Sequence, residues 1–281
     1  MSPPEAPVRA GDAPSGGAPV YVASDIHGHP EMLSGLLRQA ELLDARDRWS
    51  GGGATLWLLG DYVDQGPDGL GVIDLAMRLQ REAAAAGGSV GALLGNHDVL
   101  LLGTRRFGAR TFPGGQSFAA AWEANGGQPG DLAGLGDEQI AWLAGLPSLA
   151  RAGQRLLAHA DATFYLEYGE SIAATNDAVR AILDGEDMDA WGRLIVGFSD
   201  HRAFAGPAGA ARAGTLLGRF GGTQIVHGHT PISVHPDTIP PCAPHDVTRP
   251  LLYAGGRCLD VDGGMYLGGP GLLVPLPLRT R

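Results

Sequence analysis

Five short apolar runs, Val20–Ala23, Ala54–Leu59, Val90–Leu94, Leu156–Ala158 and Gln224–Val226, each break into a cluster rich in Asp, His, Asn and Gly: SDIHG, GDYVDQG, GNHD, HAD and HGHTP. Runs this short, bounded by turn signals, read as buried strands. The stretches between the first three have the length and pattern of crossover helices, which makes the sheet parallel and the fold class α/β. In one of them Pro30 suits a first helical turn, and Leu33, Leu36, Leu37, Ala40 and Leu43 share a face behind it. Gly69 to Ala86 supplies the second helix. Ligand sites in open α/β sheets lie beyond the carboxyl ends of the strands. Any one of these clusters alone reads as a turn or a helix cap; five in that position point to one convergent site.

No strand pattern occurs between GNHD and HAD, where Ser117–Glu123 and Asp137–Leu143 read as helices. With a second excursion from Thr163 to Gly222, this gives two expected helical, cap-like insertions, about 103–150 and 163–222, in a single domain over 19–281. Residues 1–18, rich in Pro, Gly and Ala, are expected to be a disordered tail. After Pro231 the chain turns proline-rich and then gives Leu251–Ala254, Cys258–Val261 and Gly271–Leu276, read as a closing antiparallel set of strands. With 45 glycines and 6% aromatics, the core should be built from Leu, Ala and Val and the connections from glycine. A net charge of −10 opposes non-specific capture of nucleic acid. The chain shows no signal-type apolar segment and no run near the ~20 residues that span a bilayer. Neither a membrane nor a nucleic-acid partner is therefore expected, and the expected location is cytoplasmic. Cys242 and Cys258 form no metal-type pair, which fits a reducing compartment.

Carboxylate oxygen and imidazole nitrogen suit hard and borderline divalent ions. A two-metal site about 4 Å across needs a carboxylate or water that bridges both. Asp25 and His27, two apart at a strand end, can face the same side as the strand breaks into its turn. Asp61 follows the second strand at the same level and is the natural bridge; Asn96, His159 and His229 complete the set for a second ion.

The order SDIHG, GDYVDQG, GNHD, HAD, HGHT resembles the GDxHG, GDxVDRG, GNHE, HGG and (R/G)H motifs of the phosphoprotein phosphatase branch of the calcineurin-like metallophosphoesterases, the branch of bacterial Ser/Thr phosphatases and diadenosine tetraphosphatases. The resemblance is dense over residues 20–102 and continues through His159, His227–Pro231 and LDVDGG at Leu259–Gly264. It implies a four-layer α/β/β/α sandwich holding two divalent metal ions, commonly manganese, iron or zinc, with manganese expected here. Asp25 and His27 would bind the first ion, Asp61 would bridge, and Asn96, His159 and His229 would hold the second, with His227 supporting them. Pro231 occupies the position from which other branches donate a further histidine, which favours the phosphoprotein phosphatase branch. Asp64 would pair with His97, raise its pKa and aim it at the leaving oxygen while a hydroxide between the ions attacks phosphorus in line.

The implied activity is hydrolysis of a phosphomonoester, on a phosphorylated protein or a small phosphorylated ligand. A symmetrical diadenosine-tetraphosphatase-like pyrophosphohydrolase is the alternative; Phe164, Tyr165, Tyr168 and Trp191 would then either stack on adenine or fill the core. A metal-binding regulatory protein that has lost catalysis is the third reading, although such a protein has no need of His97 and Asp64. Gln65 stands where the resembling motif has an arginine, whose guanidinium grips phosphate through two charged hydrogen bonds. Arg202, in FSDHRAF, is the first candidate to replace it and Arg212 the second. Asp161 replaces a glycine after His159, where its carboxylate is expected either to orient that histidine or to face water. Asp98, where relatives often carry Glu, receives no special role.

Overall fold

The computed structural model describes residues 18–111 and 117–278, so the expected tail lies almost wholly outside the described residues. In chain order the elements are β1 (Val20–Ala23), α1 (Pro30–Gln39), β2 (Thr55–Leu58), α2 (Gly69–Ala85), β3 (Ser89–Ala92), α3 (Asn96–Phe107), α4 (Phe118–Ala124), α5 (Pro129–Gly134), α6 (Asp137–Ala144), β4 (Leu149–Ala152), β5 (Arg155–Ala158), α7 (Ile172–Asp184), α8 (Met188–Phe198), α9 (Gly209–Phe220), β6 (Gln224–His227), β7 (Leu251–Tyr253), β8 (Cys258–Asp260) and β9 (Val274–Leu276). They form two sheets, one ordered β3-β2-β1-β9 and the other β4-β5-β6-β8-β7. The first three strands are parallel, as are β5, β6 and β8.

Alternation along each strand explains the layering. Val22, Leu157, Val226, Leu259, Val274 and Leu276 form one apolar layer drawn from both sheets. Tyr21, Ala23, Leu56 and Leu58 on one sheet, and Leu156, Ala158, Ile225 and Cys258 on the other, belong instead to the larger core shared with the helices. Two sheets face to face with helices outside them is the four-layer α/β/β/α arrangement.

Local chemistry sets the helix starts. Pro30 opens α1, Asp68 caps α2 by accepting from the Gly71 N–H at 2.8 Å, and Ser117 caps α4 through the Ala120 N–H. Flush register matters most for the site: Ala23, Leu58 and Ala92 lie opposite one another at the ends of β1, β2 and β3. The loops that leave them therefore start at one level.

Three expectations are corrected. The chain between GNHD and HAD does contain a strand, β4, antiparallel to β5; its sequence LARA lacks the branched and aromatic residues by which strands are read. The last strands are not one antiparallel set. β8 lies parallel to β6 with β7 on its outer edge, while β9 crosses to pair with β1 in the other sheet. The second excursion is more than a rim, because α9 is the crossover between parallel β5 and β6, with Ala213, Leu216, Leu217 and Phe220 buried. Cys242 and Cys258 are both free thiols.

Candidate metal centre

The loops after β1 and β2 zip together before any side chain is considered. Asp25 N–H donates to Gly60 C=O at 3.2 Å, His27 N–H to Asp61 C=O at 3.0 Å, and Gly28 N–H to Tyr62 C=O at 2.9 Å. The loop after β3 is tied to them by Asp98, whose buried carboxylate accepts from the N–H groups of Gly95 (2.8 Å), Asp61 (3.0 Å) and Tyr62 (3.1 Å). Two glycines let backbones close on the acids: a Cβ on Gly95 would run into the Asp61 carboxylate, and one on Gly228 into Ser24 and the Asp25 carboxylate. Ten described non-glycine residues have positive φ, and seven of them are Asp25, His27, Asp61, Asp64, Gln65, Arg202 and His229. Backbone strain of this kind costs of order 1–3 kcal/mol per residue and persists where the surroundings over-determine it, as at functional sites.

The side chains converge. His27 donates from Nδ1 to Val63 C=O and His159 from Nδ1 to Leu59 C=O, each at 2.9 Å. A carbonyl only accepts, so both rings carry their proton on Nδ1 and turn an Nε2 lone pair inward. Those lone pairs face the same atom, Asp61 Oδ2, at 3.6 Å and 3.5 Å. Asn96 Oδ1 lies 2.8 Å from His159 Nε2, and the His229 ring stands edge-on to His159 at 4.9 Å between centroids. The tightest groupings of ligating atoms are His27, Asp61 and His97, and Asp61, His159 and His229, with Asp61 common to both. Asp25 stands beside them, accepting at Oδ2 from Ser24 Oγ and from the His229 N–H.

Electrostatics describe the same place. Burial pushes Asp25 up to about 7, the Asp98 charge adding to the rise, and takes Asp61 well above the carboxylate range, with Asp25 and Asp98 adding to it. Burial lowers His229 to about 3 and His27 and His159 well below the imidazole range, so all three are neutral near pH 7. No arginine of the described residues pairs with Asp25, Asp61 or Asp98. Buried carboxyl oxygens and imidazole nitrogens that meet with no cationic side chain beside them form a set that a divalent cation completes, so these residues fit the ions the motifs imply.

His97 donates or accepts at Nδ1 with Asp64 Oδ2 at 2.9 Å, and its backbone N–H reaches Asp61 Oδ1 at 3.0 Å. The expectation that Asp64 raises the His97 pKa is overturned. Burial outweighs the pair and takes His97 down to about 4 and Asp64 up to about 7. Near neutrality the pair thus holds one proton between Nδ1 and Oδ2. With that proton on Oδ2 the ring accepts at Nδ1 and must be protonated at Nε2, the form that presents an N–H away from Asp64.

The remaining sequence candidates are placed less uniformly. Gln65 is exposed and its Nε2 donates to Asn125 C=O at 2.8 Å. Arg202 is exposed, on a turn whose N–H is held by Asp161 Oδ2 at 2.8 Å, next to His201, whose ring lies 6.0 Å from that of His229. Arg212 lies on the exposed side of α9 and is not brought to the site by any bond among the described residues. Asp161 neither orients His159 nor faces water: it is buried, and its other oxygen accepts from Thr230 Oγ1 at 2.8 Å. His227 is buried against the Tyr253 hydroxyl at 2.7 Å and supports the turn that carries His229. Phe164, Tyr165 and Trp191 are core residues, and Tyr168 packs against the core. Asp98, inside GNHD, was given no special role and proves to tie the loops together. Two residues went unread in the sequence: Trp122, whose indole reaches Asp64, and Tyr266, which stands edge-on to His27 at 4.9 Å.

The sequence model of the family described as calcineurin-like phosphoesterase matches residues 18–233. Shewanella-like protein phosphatase 2 of Arabidopsis thaliana is 36% identical over 76 residues, 27% of this chain and 19% of that protein. A symmetrical bis(5'-nucleosyl)-tetraphosphatase of Salmonella paratyphi A is 39% identical over 82 residues, 29% of this chain and 24% of that protein. These matches thus span a minor part of either relative. Among solved structures, the cold-active protein-tyrosine phosphatase of a psychrophilic Shewanella species superposes with TM-score 0.69 at 22% identity, over 93% of this chain and 76% of that one. A serine/threonine phosphatase of Saccharomyces cerevisiae gives TM-score 0.54 at 14% identity, over 87% and 67%. At these identities the structural likeness speaks for the fold.

Proposed function

This chain belongs to the calcineurin-like phosphoesterase family, and from that premise we propose that it is a hydrolase of phosphomonoesters that works with two divalent metal ions, manganese first among them. Asp25, His27 and Asp61 would hold one ion, and Asp61, Asn96, His159 and His229 the other. The single observation that carries this reading is the convergence of the His27 and His159 Nε2 lone pairs on one oxygen of the buried Asp61, which has no arginine or lysine beside it. When bound, the ions would neutralise the buried acids, polarise the phosphoryl group and lower the pKa of an attacking water.

The chain's own groups supply the rest. His97, fixed through Nδ1 by Asp64, presents its Nε2–H to the leaving oxygen and gives up that proton as the ester bond breaks. Asp61 Oδ1 holds the His97 backbone N–H, which keeps the acid in register with the metal ligands. Arg202 is the first choice for the phosphate oxygens, since its turn is tied by Asp161 to the segment that carries His229. Gln65 has already committed its amide N–H to Asn125, and Arg212 is last. Phosphomonoester is preferred to dinucleoside tetraphosphate because three of the four aromatics that would have stacked on adenine fill the core. The regulatory reading is weakest, as the paired His97 and Asp64 would then have no task.

The test is hydrolysis of p-nitrophenyl phosphate, a phosphopeptide and diadenosine tetraphosphate by the manganese-loaded protein beside Asp61→Asn. Turnover of one or both monoesters, lost in the variant, is the expected result. Preference for the dinucleotide would replace the substrate class, and no turnover of any of the three would remove the hydrolase reading.

A further inference from the structure

Residues Trp122 to Gln128, from the end of α4 into the loop that follows it, are strapped to the loop after β2 at three points. The Trp122 Nε1–H donates to Asp64 Oδ1 at 2.7 Å. Gln65 N–H donates to Gly126 C=O at 2.9 Å, and Gln65 Nε2 to Asn125 C=O at 2.8 Å. Gln128 closes the turn by donating from Nε2 to the same Gly126 carbonyl at 3.0 Å. Two glycines make the strap thin enough: a Cβ on Gly127 would enter the Trp122 indole, and Gly126, at φ +82°, lies flat on the Gln65 carboxamide.

The consequence falls on Asp64. Its two oxygens have different partners, Oδ2 facing His97 Nδ1 and Oδ1 facing the indole, and the Gln128 backbone N–H also donates to the carboxyl. A carboxyl held by one oxygen alone turns freely about its terminal torsion, which is broad and two-fold; the indole, the one side-chain donor on Oδ1, removes that freedom together with the Gln128 N–H, and both belong to the strap. An indole N–H is a donor only, so it accepts no proton from Oδ1 and leaves Oδ2 as the one oxygen that shares a proton with His97. Trp122 and Asp64 are both buried, and a hydrogen bond in a low-dielectric site is electrostatically stronger than one in water.

Resting on the reading of His97 as the general acid, we propose that Trp122 is a positioning residue for the Asp64–His97 pair and that Gln65, in the place of an arginine, holds the strap that carries Trp122 instead of gripping phosphate. An insertion outside the metal-binding motifs then sets the aim of the proton donor, and Gln65 is its fastening.

A leaving-group series separates positioning from simple structural support. Good leaving groups depart without a proton, whereas poor ones need the acid. Trp122→Phe keeps an aromatic ring and deletes the N–H. With the manganese-loaded protein its kcat on phenyl phosphate should fall about tenfold or more, while kcat on 2,4-dinitrophenyl phosphate and both KM values change less than about threefold. Equal loss on the two esters, or loss on neither, overturns the proposal. His97→Ala run alongside isolates the premise. Should His97→Ala show no steeper loss on phenyl than on dinitrophenyl phosphate, or the parent protein turn over neither ester, the acid reading fails and the proposal with it. A steep His97→Ala series beside a flat Trp122→Phe series overturns the proposal alone. Melting curves check folding; if Trp122→Phe does not fold, Gly127→Ala, whose methyl displaces the indole, takes its place with the same expected pattern. A readout without turnover is the exchange of the His97 Nδ1 proton by NMR, which should quicken in either variant, and unchanged exchange contradicts the proposal.

Discussion

Asp161 stands where the related motif has glycine, and its two oxygens join three pieces of chain: β5, which brings His159; the turn that begins at Arg202; and Thr230, next to His229. Arg202 itself is held at φ +62°, a left-handed conformation that costs a non-glycine residue energy. If the guanidinium it carries grips phosphate, Arg202→Ala should raise KM about tenfold or more, the worth of one charge-assisted pair, with kcat little altered. Steady-state kinetics on p-nitrophenyl phosphate decide it, and an unchanged KM would pass the role to another cation. At this scale the sequence was readable where residues sit at the ends of apolar runs. Asp25, His27, Asp61, Asn96, His159 and His229 all follow strands, so order and spacing single them out as candidates. Trp122 and Tyr266 were not readable, because each comes to the site by tertiary packing from a segment with no pattern that aims it there. The His97 pKa was misread for a related reason: pairing with Asp64 is visible in the motifs, but the burial that outweighs it is a property of everything packed around the pair.

The loops after β1, β2 and β3 act as one element, and Asp98 is the pin. Three N–H groups from two loops point at its carboxylate, and all of them would be left buried and unpaired by its loss. Asp98→Ala should cost roughly 3 kcal/mol or more, read from urea melts of the metal-free protein. A loss below about 1 kcal/mol would mean that the loops hold their conformation through the backbone bonds alone. Helices α1, α2 and α4 and strands β1, β2 and β3 were legible because their apolar patterns are strong and the helix starts carry Pro30, Asp68 and Ser117 as signals. β4 was lost for want of side chains that favour a strand. The destination of β9 was lost because a run such as VPL says that it is a strand end to end but not which of two sheets has a free edge for it.

For the whole molecule, the face-to-face sheets carry one dense acidic and imidazole cluster at the ends of their parallel strands, and its charge must be balanced by protons or by cations. The sign of the pH dependence follows. Asp25 titrates near 7 and so holds a proton at pH 6, with burial moving Asp61 in the same direction; His229, near 3, is already neutral there, and burial moves His27 and His159 the same way, toward the neutral form. Metal loading must therefore expel protons from the acids, and affinity should climb as pH rises through about 7. The most direct measurement is calorimetric titration of the chelated protein with Mn2+ at pH 6, in two buffers of different ionisation enthalpy, beside Asp61→Asn. The account predicts two ions per chain with net proton release, and loss of at least one ion in the variant that cannot bridge. Binding of a single ion, or loading of both with no proton released and no effect of Asp61→Asn, would contradict it.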